Sequence, residues 1–364
     1  MKRAYKIWMW PVWLIALFSQ SNSFKGNPII GSPLANKLGL HMVRLVLAHA
    51  ITRLRWWMLS GLMPKDRRRQ FHRDGFTVID EVLSPAEFKA LRREIDSAGL
   101  TTESEVRECV QGDTLTHRIF LDGQTLDALP VTRRLLSDPQ ISGALRYAAA
   151  KNCRPLHYLQ AIKNGFNTAR TKRSDPQKNL HSDTFHPTMK AWLFLEDVPL
   201  EKGPFTYVKG SNRLTWKRIK WEYQRSQIAA NANDGYSEKG SFRFERDDLR
   251  SIDLPDAEGL AVKRNTLVIA NTYGIHCRGA AEQDAHRLEI WSFSRFNPFN
   301  PWPGLGISLY SSLEYALAKK WWWYKDRKAL EAGTVSSWHP ISPQTFHQTD
   351  NELVDVIEPI SEGQ

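Results

Sequence analysis

"HSDTFH", residues 181–186, places two histidines around one acid. His181 and Asp183 are two apart, so on a strand both side chains share a face. Such a pair is either two ligands of one metal or two polar groups of an exposed turn. An H-x-D alone does not decide between them; a third donor does. The candidate is His276, in "NTLVIANTYGIHCRG" (265–279), which follows a strongly apolar strand pattern, as a strand-end ligand should. Two imidazoles and a carboxylate make the facial set that suits non-haem Fe(II) and leaves positions open for substrate and O2. The three cysteines, Cys109, Cys153 and Cys277, form no C-x-x-C pair and no even-numbered framework. That excludes a disulfide scaffold and a zinc finger and points to a reducing compartment.

Arg287 comes eleven residues after His276. If the chain turns around 279–285 and returns as the next strand, its guanidinium faces the same cavity and clamps a carboxylate with paired hydrogen bonds. The expected ligand is then a dicarboxylate held by metal at one end and arginine at the other, which describes 2-oxoglutarate. His186 is expected to be a surface or supporting residue, and His286 to face away from the cavity. Cys277 is read as a small buried neighbour of the ligand. The role of Arg278 is left open.

The body begins near residue 71. Residues 75–82 read as a short strand. Ser84, Pro85 and Glu87 then form a helix start with a capping box, and the helix is expected to run to Ser97 and stop at Gly99. Segments 131–136 and 141–149 read as helices, and 217–228 as a surface helix. Segments 156–163, 189–197, 205–209, 260–271 and 287–296 read as strands by β-branched and aromatic content. Helices first and then strands separated by long loops favour a sandwich or barrel over a βαβ repeat.

These pieces resemble the phytanoyl-CoA dioxygenase family of Fe(II)/2-oxoglutarate oxygenases. The similarity rests on "DGFTVIDEVLS" (74–84), "LQAIKN" (159–164), the H-x-D, "AWLFLEDVPLEKGPFTYVKGSNR" (191–213), His276 and Arg287. It spans about 71–298. It implies a mainly β fold with flanking helices, a double-stranded β-helix or jelly roll, with Fe(II) on His181, Asp183 and His276. It also implies 2-oxoglutarate and O2 as co-substrates, Arg287 on the distal carboxylate, and Trp192 lining the co-substrate pocket. Asp183 is informative in a further way: related halogenases carry a small residue there, so the carboxylate favours hydroxylation. One departure is Lys209, which stands where the family's P-G-S-H turn begins with proline; Arg213 or nothing replaces its histidine.

Four regions are expected: a basic helical segment over 1–70, the oxygenase domain over 71–300, a Trp-rich extension over 301–348, and a mobile acidic tail over 349–364. The net charge is +11, yet residues 1–73 hold thirteen Lys/Arg against the single acid Asp66. Basicity confined to one end suggests an anionic partner surface. "IWMWPVWLIALF" (7–18) is short for a span of roughly 20 residues, and a secretory signal peptide is its rival reading. In 38–62, Val43, Leu47, Ala50, Ile51, Leu54 and Met58 form one helical face. His41, Arg44, Ala48, Thr52 and Arg55 form another. "AKKWWWYKDRK" (318–328) adds tryptophans among lysines, a mix typical of a membrane–water boundary. A lipid surface explains all three segments and nucleic acid does not. The expected protein is therefore a cytoplasmic enzyme, peripheral at the inner face of a membrane, acting on a lipid or lipid-linked molecule. The alternatives are a soluble tailoring hydroxylase of a small metabolite and a non-catalytic metal-binding protein of the same fold. The sequence sets neither the substrate nor the oligomeric state.

Overall fold

The computed structural model describes residues 7–97, 105–165, 175–282, 285–306, 308–343 and 346. The expected stop at Gly99 and the acidic tail fall outside these. The strands are β1 Phe76–Ile79, β2 Val106–Gln111, β3 Thr114–Phe120, β4 Leu156–Asn164, β5 Met189–Phe194, β6 Phe205–Tyr207, β7 Glu258–Gly259, β8 Thr266–Asn271, β9 His276–Arg278, β10 His286–Ser294 and β11 His339–Ile341. They form an eight-stranded antiparallel sheet in the order β1-β8-β5-β10-β4-β3-β2-β11, and a small sheet in the order β7-β6-β9. This is the two-sheet jelly roll, mainly β with flanking helices.

Side-chain alternation builds its layers. Leu159, Ala161, Ala191, Leu193, Leu267, Ile269, Leu288 and Ile290 point to the outer face of the large sheet. There they pack under the helices Lys65–Asp74, Pro85–Ser97, Pro130–Ser137 and Pro139–Ala148, through Phe71, Leu91, Ile95, Leu135 and Leu145. The intervening residues Tyr158, Trp192, Phe194, Val268 and Trp291 point inward and meet Phe205 and Tyr207 of the small sheet. Strands buried on both faces explain why the pattern is apolar at both parities. The capping box is present: Ser84 N donates to Glu87 Oε2 at 3.0 Å and Glu87 N to Ser84 Oγ at 3.4 Å. Gly75, at φ +95°, closes the helix Lys65–Asp74 and turns it into β1; a Cβ there would lie 2.3 Å from the Tyr207 hydroxyl.

The N-terminal helix Leu40–Met58 buries its polar face against the body. His41, Arg44, Ala48, Thr52 and Arg55 face the protein, and Val43, Val46, Leu47, Leu54 and Trp57 are exposed. The reason is hydrogen-bond supply from distant chain. Arg44 donates to the carbonyls of Leu17, Ser19 and Ser21, and Arg55 to those of Asn297 and Asn300. Arg44 also lies 4.4 Å from the Phe185 ring centre, and Arg55 5.0 Å from that of Phe296. The arginines do not snorkel to water. The helix Trp216–Ile228 is likewise more than a surface helix: it buries Arg218, Trp221, Glu222 and Ser226.

Elements not legible as such include the β2–β3 hairpin, turned by Gly112 at φ +60°, and the helix Ser308–Glu331. That helix sets Trp322 against Phe120, with ring centres 4.3 Å apart, and leaves Leu313, Leu317, Trp321, Trp323 and Tyr324 exposed. Among the described residues no helix is long and apolar enough to cross a membrane.

Candidate metal centre

The two histidines meet through backbone pairing. His181 N donates to the His276 carbonyl at 2.9 Å, and His276 N to the His181 carbonyl at 2.9 Å. Directly opposed residues of an antiparallel pair show their side chains on one face. The imidazole centres are accordingly 4.5 Å apart. Asp183 N donates to the Thr272 carbonyl at 3.0 Å, which brings the carboxylate to the same point. Asp183 Oδ1 lies 3.8 Å from His181 Nε2 and 3.8 Å from His276 Nε2. One ligand atom from each of the three falls within 4.8 Å of the others.

The donor atoms are prepared. His181 Nδ1 is 2.7 Å from the Asn179 carbonyl, and His276 Nδ1 is 2.9 Å from that of Gly274. A carbonyl only accepts, so each Nδ1 carries the proton and each Nε2 keeps its lone pair. Both Nε2 atoms are buried with no hydrogen-bond partner. Burial holds the His276 pKa down to about 4 and that of His181 well below its ordinary value. Both rings are therefore neutral at pH 7. Burial by itself would raise the Asp183 pKa, but Lys190, with His276 and His181, outweighs it and keeps the carboxyl well below its usual range. Lys190 Nζ bonds Asp183 Oδ1 at 2.9 Å and lies 2.8 Å from Oδ2. Three acceptors converging in a buried place, with a lysine as the nearest cation, fit a divalent metal.

These groups open on a cavity of about 260 Å³ between the sheets. Trp192, Phe205, Trp291 and Cys277 line it, with Arg118, Lys190, Arg278 and Arg287 as its cations. Arg287 Nη1 donates to the Gly203 carbonyl at 2.8 Å, and its Nε is 2.8 Å from Glu289 Oε2. Trp192 stacks on Phe205 with ring centres 4.4 Å apart. So the structure brings His181, His276, Arg287 and Trp192 to one cavity, with Asp183 beside the two histidines.

The neighbouring residues sort differently. His186 is fully buried rather than at the surface, packed on Phe185 with its Nδ1 3.1 Å from the Pro187 carbonyl, and it does not line the cavity. His286 is exposed and pairs with Glu196 at 3.3 Å. Burial pushes the Cys277 thiol up to about 11, which suits an inert wall residue. Arg278 is taken by the buried Asp175 at 2.6 Å. Sequence reasoning missed Arg118, Gln160, Lys190, Glu289 and Trp291. Their one signal is alternation along β3, β4, β5 and β10.

Residues 71–246 match the family profile described as phytanoyl-CoA dioxygenase (PhyH). No curated protein matches the chain. Among solved structures, it is similar to the epimerase SnoN, described in complex with Fe3+, alpha-ketoglutarate and nogalamycin RO (21% identity, 63% of this chain and 82% of that one, TM-score 0.40). It is also similar to SnoK, a non-haem alpha-ketoglutarate-dependent carbocyclase of nogalamycin biosynthesis (21% identity, 64% and 83%, TM-score 0.40). A third is HygX from Streptomyces hygroscopicus, described with nickel and 2-oxoglutarate bound (17% identity, 64% and 86%, TM-score 0.38).

Proposed function

Residues 71–246 belong to the phytanoyl-CoA dioxygenase family of Fe(II)/2-oxoglutarate-dependent enzymes, and from that premise we propose that this dioxygenase hydroxylates a lipid or lipid-linked substrate at a membrane surface. The observation that carries the catalytic part is the convergence of the unpartnered Nε2 atoms of His181 and His276 on the Asp183 carboxylate, which is shared only with Lys190. These would hold the iron. When bound, Fe(II) and 2-oxoglutarate supply O2 activation coupled to oxidative decarboxylation, with succinate and CO2 as products.

The chain's own residues position and exclude. The Asn179 and Gly274 carbonyls lock the imidazole tautomers. Gly203 and Glu289 orient the Arg287 guanidinium, which would pair with the distal carboxylate of 2-oxoglutarate. Trp192 and Phe205 wall the co-substrate against water. Succinate should form from 2-oxoglutarate in the presence of Fe(II), and His181→Ala should abolish it. Arg287→Ala should raise the KM for 2-oxoglutarate. Unchanged turnover in both variants would contradict the assignment.

The membrane part is supported by the outward face of the helix Leu40–Met58. Trp57 is 74% exposed and Val43 64%. Trp8, Ile15 and Phe18 nearby in the chain are also exposed, and Arg53 and Lys37 add charge. Contiguous exposed apolar side chains with a basic surround suit an anionic lipid interface. On the helix Ser308–Glu331, Leu313, Leu317, Trp321 and Tyr324 repeat this pattern among Lys320, Lys325 and Lys328. Its inner residue Trp322 packs on Phe120 and Tyr158, beside the cavity. The enzyme would then sit in the cytoplasm at the inner leaflet, where both cofactors are supplied. The protein should float with anionic vesicles. The triple variant V43S/L47S/W57S should lose this while changing stability by about 0.5 kcal/mol or less. A protein that ignores vesicles would favour the soluble hydroxylase of a small metabolite.

A further inference from the structure

Four cationic side chains line the cavity, and three already have a carboxylate. Lys190 lies 2.8 Å from Asp183, Arg278 2.6 Å from Asp175, and Arg287 2.8 Å from Glu289. Arg118 has no acid among the described residues. Its one hydrogen bond there runs from Nε to Gln160 Oε1 at 2.6 Å. Its guanidinium lies between two indoles, with its central carbon 4.0 Å from the Trp291 ring centre and 4.3 Å from that of Trp338.

This setting fixes what Arg118 can do. The indoles occupy its two faces by cation–π contact. Gln160 occupies Nε. What remains is the edge that carries the two terminal nitrogens, the fork that matches a carboxylate or phosphate. Gln160 is itself fixed: its amide nitrogen donates to Glu289 Oε1, so its oxygen must face Arg118. Arg118, Gln160 and Glu289 are successive cross-strand partners on β3, β4 and β10, and Glu289 is the ion-pair partner of Arg287. The site is thus built across three strands of the large sheet. Charge also favours an anion. The four cations face Asp183, Asp175 and Glu289, which leaves one positive charge uncompensated, and bound Fe(II) with dianionic 2-oxoglutarate leaves that sum unchanged.

We propose that Arg118, held between Trp291 and Trp338, binds an anionic headgroup of the substrate, a carboxylate or a phosphate. The proposal rests on the oxygenase and lipid reading above and names the polar end of that substrate. The site is distinct from the position of Arg287, which would serve the co-substrate.

The test uses three probes with one chain and different heads: dodecanoate, dodecyl phosphate and dodecanol. Each is titrated calorimetrically, without O2, into the full-length protein loaded with Fe(II) and 2-oxoglutarate. One or both anions should bind about 10- to 100-fold more tightly than dodecanol, the span expected of charged hydrogen bonds, and the better one names the head. Arg118→Gln should remove that preference and Arg118→Lys should restore part of it. Arg118→Gln should also bind 2-oxoglutarate as wild type does and melt at or above the wild-type temperature without ligand, because it removes a desolvated charge with no carboxylate. Three results would overturn the proposal: dodecanol binding as well as the anions, weaker 2-oxoglutarate binding in Arg118→Gln, or a lower melting temperature for that variant. The oxygenase reading fails separately, if Arg287→Gln binds 2-oxoglutarate as tightly as wild type.

Discussion

Two buried clusters of histidine and carboxylate lie close together in this fold, and they differ in what their atoms still lack. In the first, Glu222 has both oxygens used. Oε2 is 2.8 Å from His41 Nε2, while Oε1 accepts from Arg218 Nε at 3.0 Å and from the Tyr273 hydroxyl at 3.0 Å. The cluster ties the helices Leu40–Met58 and Trp216–Ile228 to the loop before β9. In the second, His181 Nε2 and His276 Nε2 have no partner, and the Asp183 carboxylate is held only by Lys190. Residue types are nearly the same in both. A cluster whose acceptors are filled holds the fold together, and one whose Nε2 lone pairs converge on a carboxylate is suited to ligate.

Opposite effects should follow from opening each cluster. Asp183→Asn, whose amide oxygen still accepts from Lys190, should lower Fe(II) affinity by more than the ~100-fold typical of outer partners of a metal, with little change in melting temperature. Glu222→Ala leaves Arg218 buried without its carboxylate and should cost about 3–5 kcal/mol of stability. Its folded fraction should bind Fe(II) within about tenfold of wild type. Equal stability losses in the two variants, by denaturant titration, would erase the contrast.

The acid response should also separate them. Burial by itself would raise the Glu222 pKa, but Arg218 and His41 outweigh it and hold it down to about 2. Its stabilisation is present above the unfolded carboxyl value and is lost as pH falls toward 2. Buried histidines act in the same direction but over a higher pH range. Burial depresses His49 and His157 to about 3, so between pH 6.5 and 3 the unfolded chain binds protons that the folded chain refuses. Stability should therefore fall as pH drops from 6.5, by roughly 2 kcal/mol per histidine at pH 5. His157→Gln should flatten this limb, and an unchanged slope in its pH-dependent denaturation would count against the account. The smallest effect concerns Lys190, which shares Asp183 with the metal. Lys190→Met should tighten Fe(II) binding by roughly fivefold, and weaker binding would mean that the lysine supports the site instead.

Much of the fold was legible because strand alternation and capping are local. β1, β4, β5, β8 and β10 carry apolar residues at the parities that the two layers require, and Ser84 and Glu87 announce their helix. The triad was legible because its residue types are rare in combination, and Arg287 because of its spacing. Arg118, Gln160, Lys190 and Glu289 were hidden, since alternation cannot distinguish a polar cavity from water. The helix Leu40–Met58 shows the same limit from the other side. Its two faces were visible in the sequence, but the carbonyls that turn its arginines inward come from residues 17–21 and 297–300. No local pattern contains them.

The central claim is that His181, Asp183 and His276 would together hold iron, with 2-oxoglutarate bound beside them. The most direct measurement is anaerobic optical titration of the full-length protein with Fe(II) and then 2-oxoglutarate, following the charge-transfer absorption that chelation produces. The account predicts a saturating band at one iron per chain, absent in His276→Ala and present in Glu222→Gln. A band that persists in His276→Ala, or none in the wild-type protein, would contradict it.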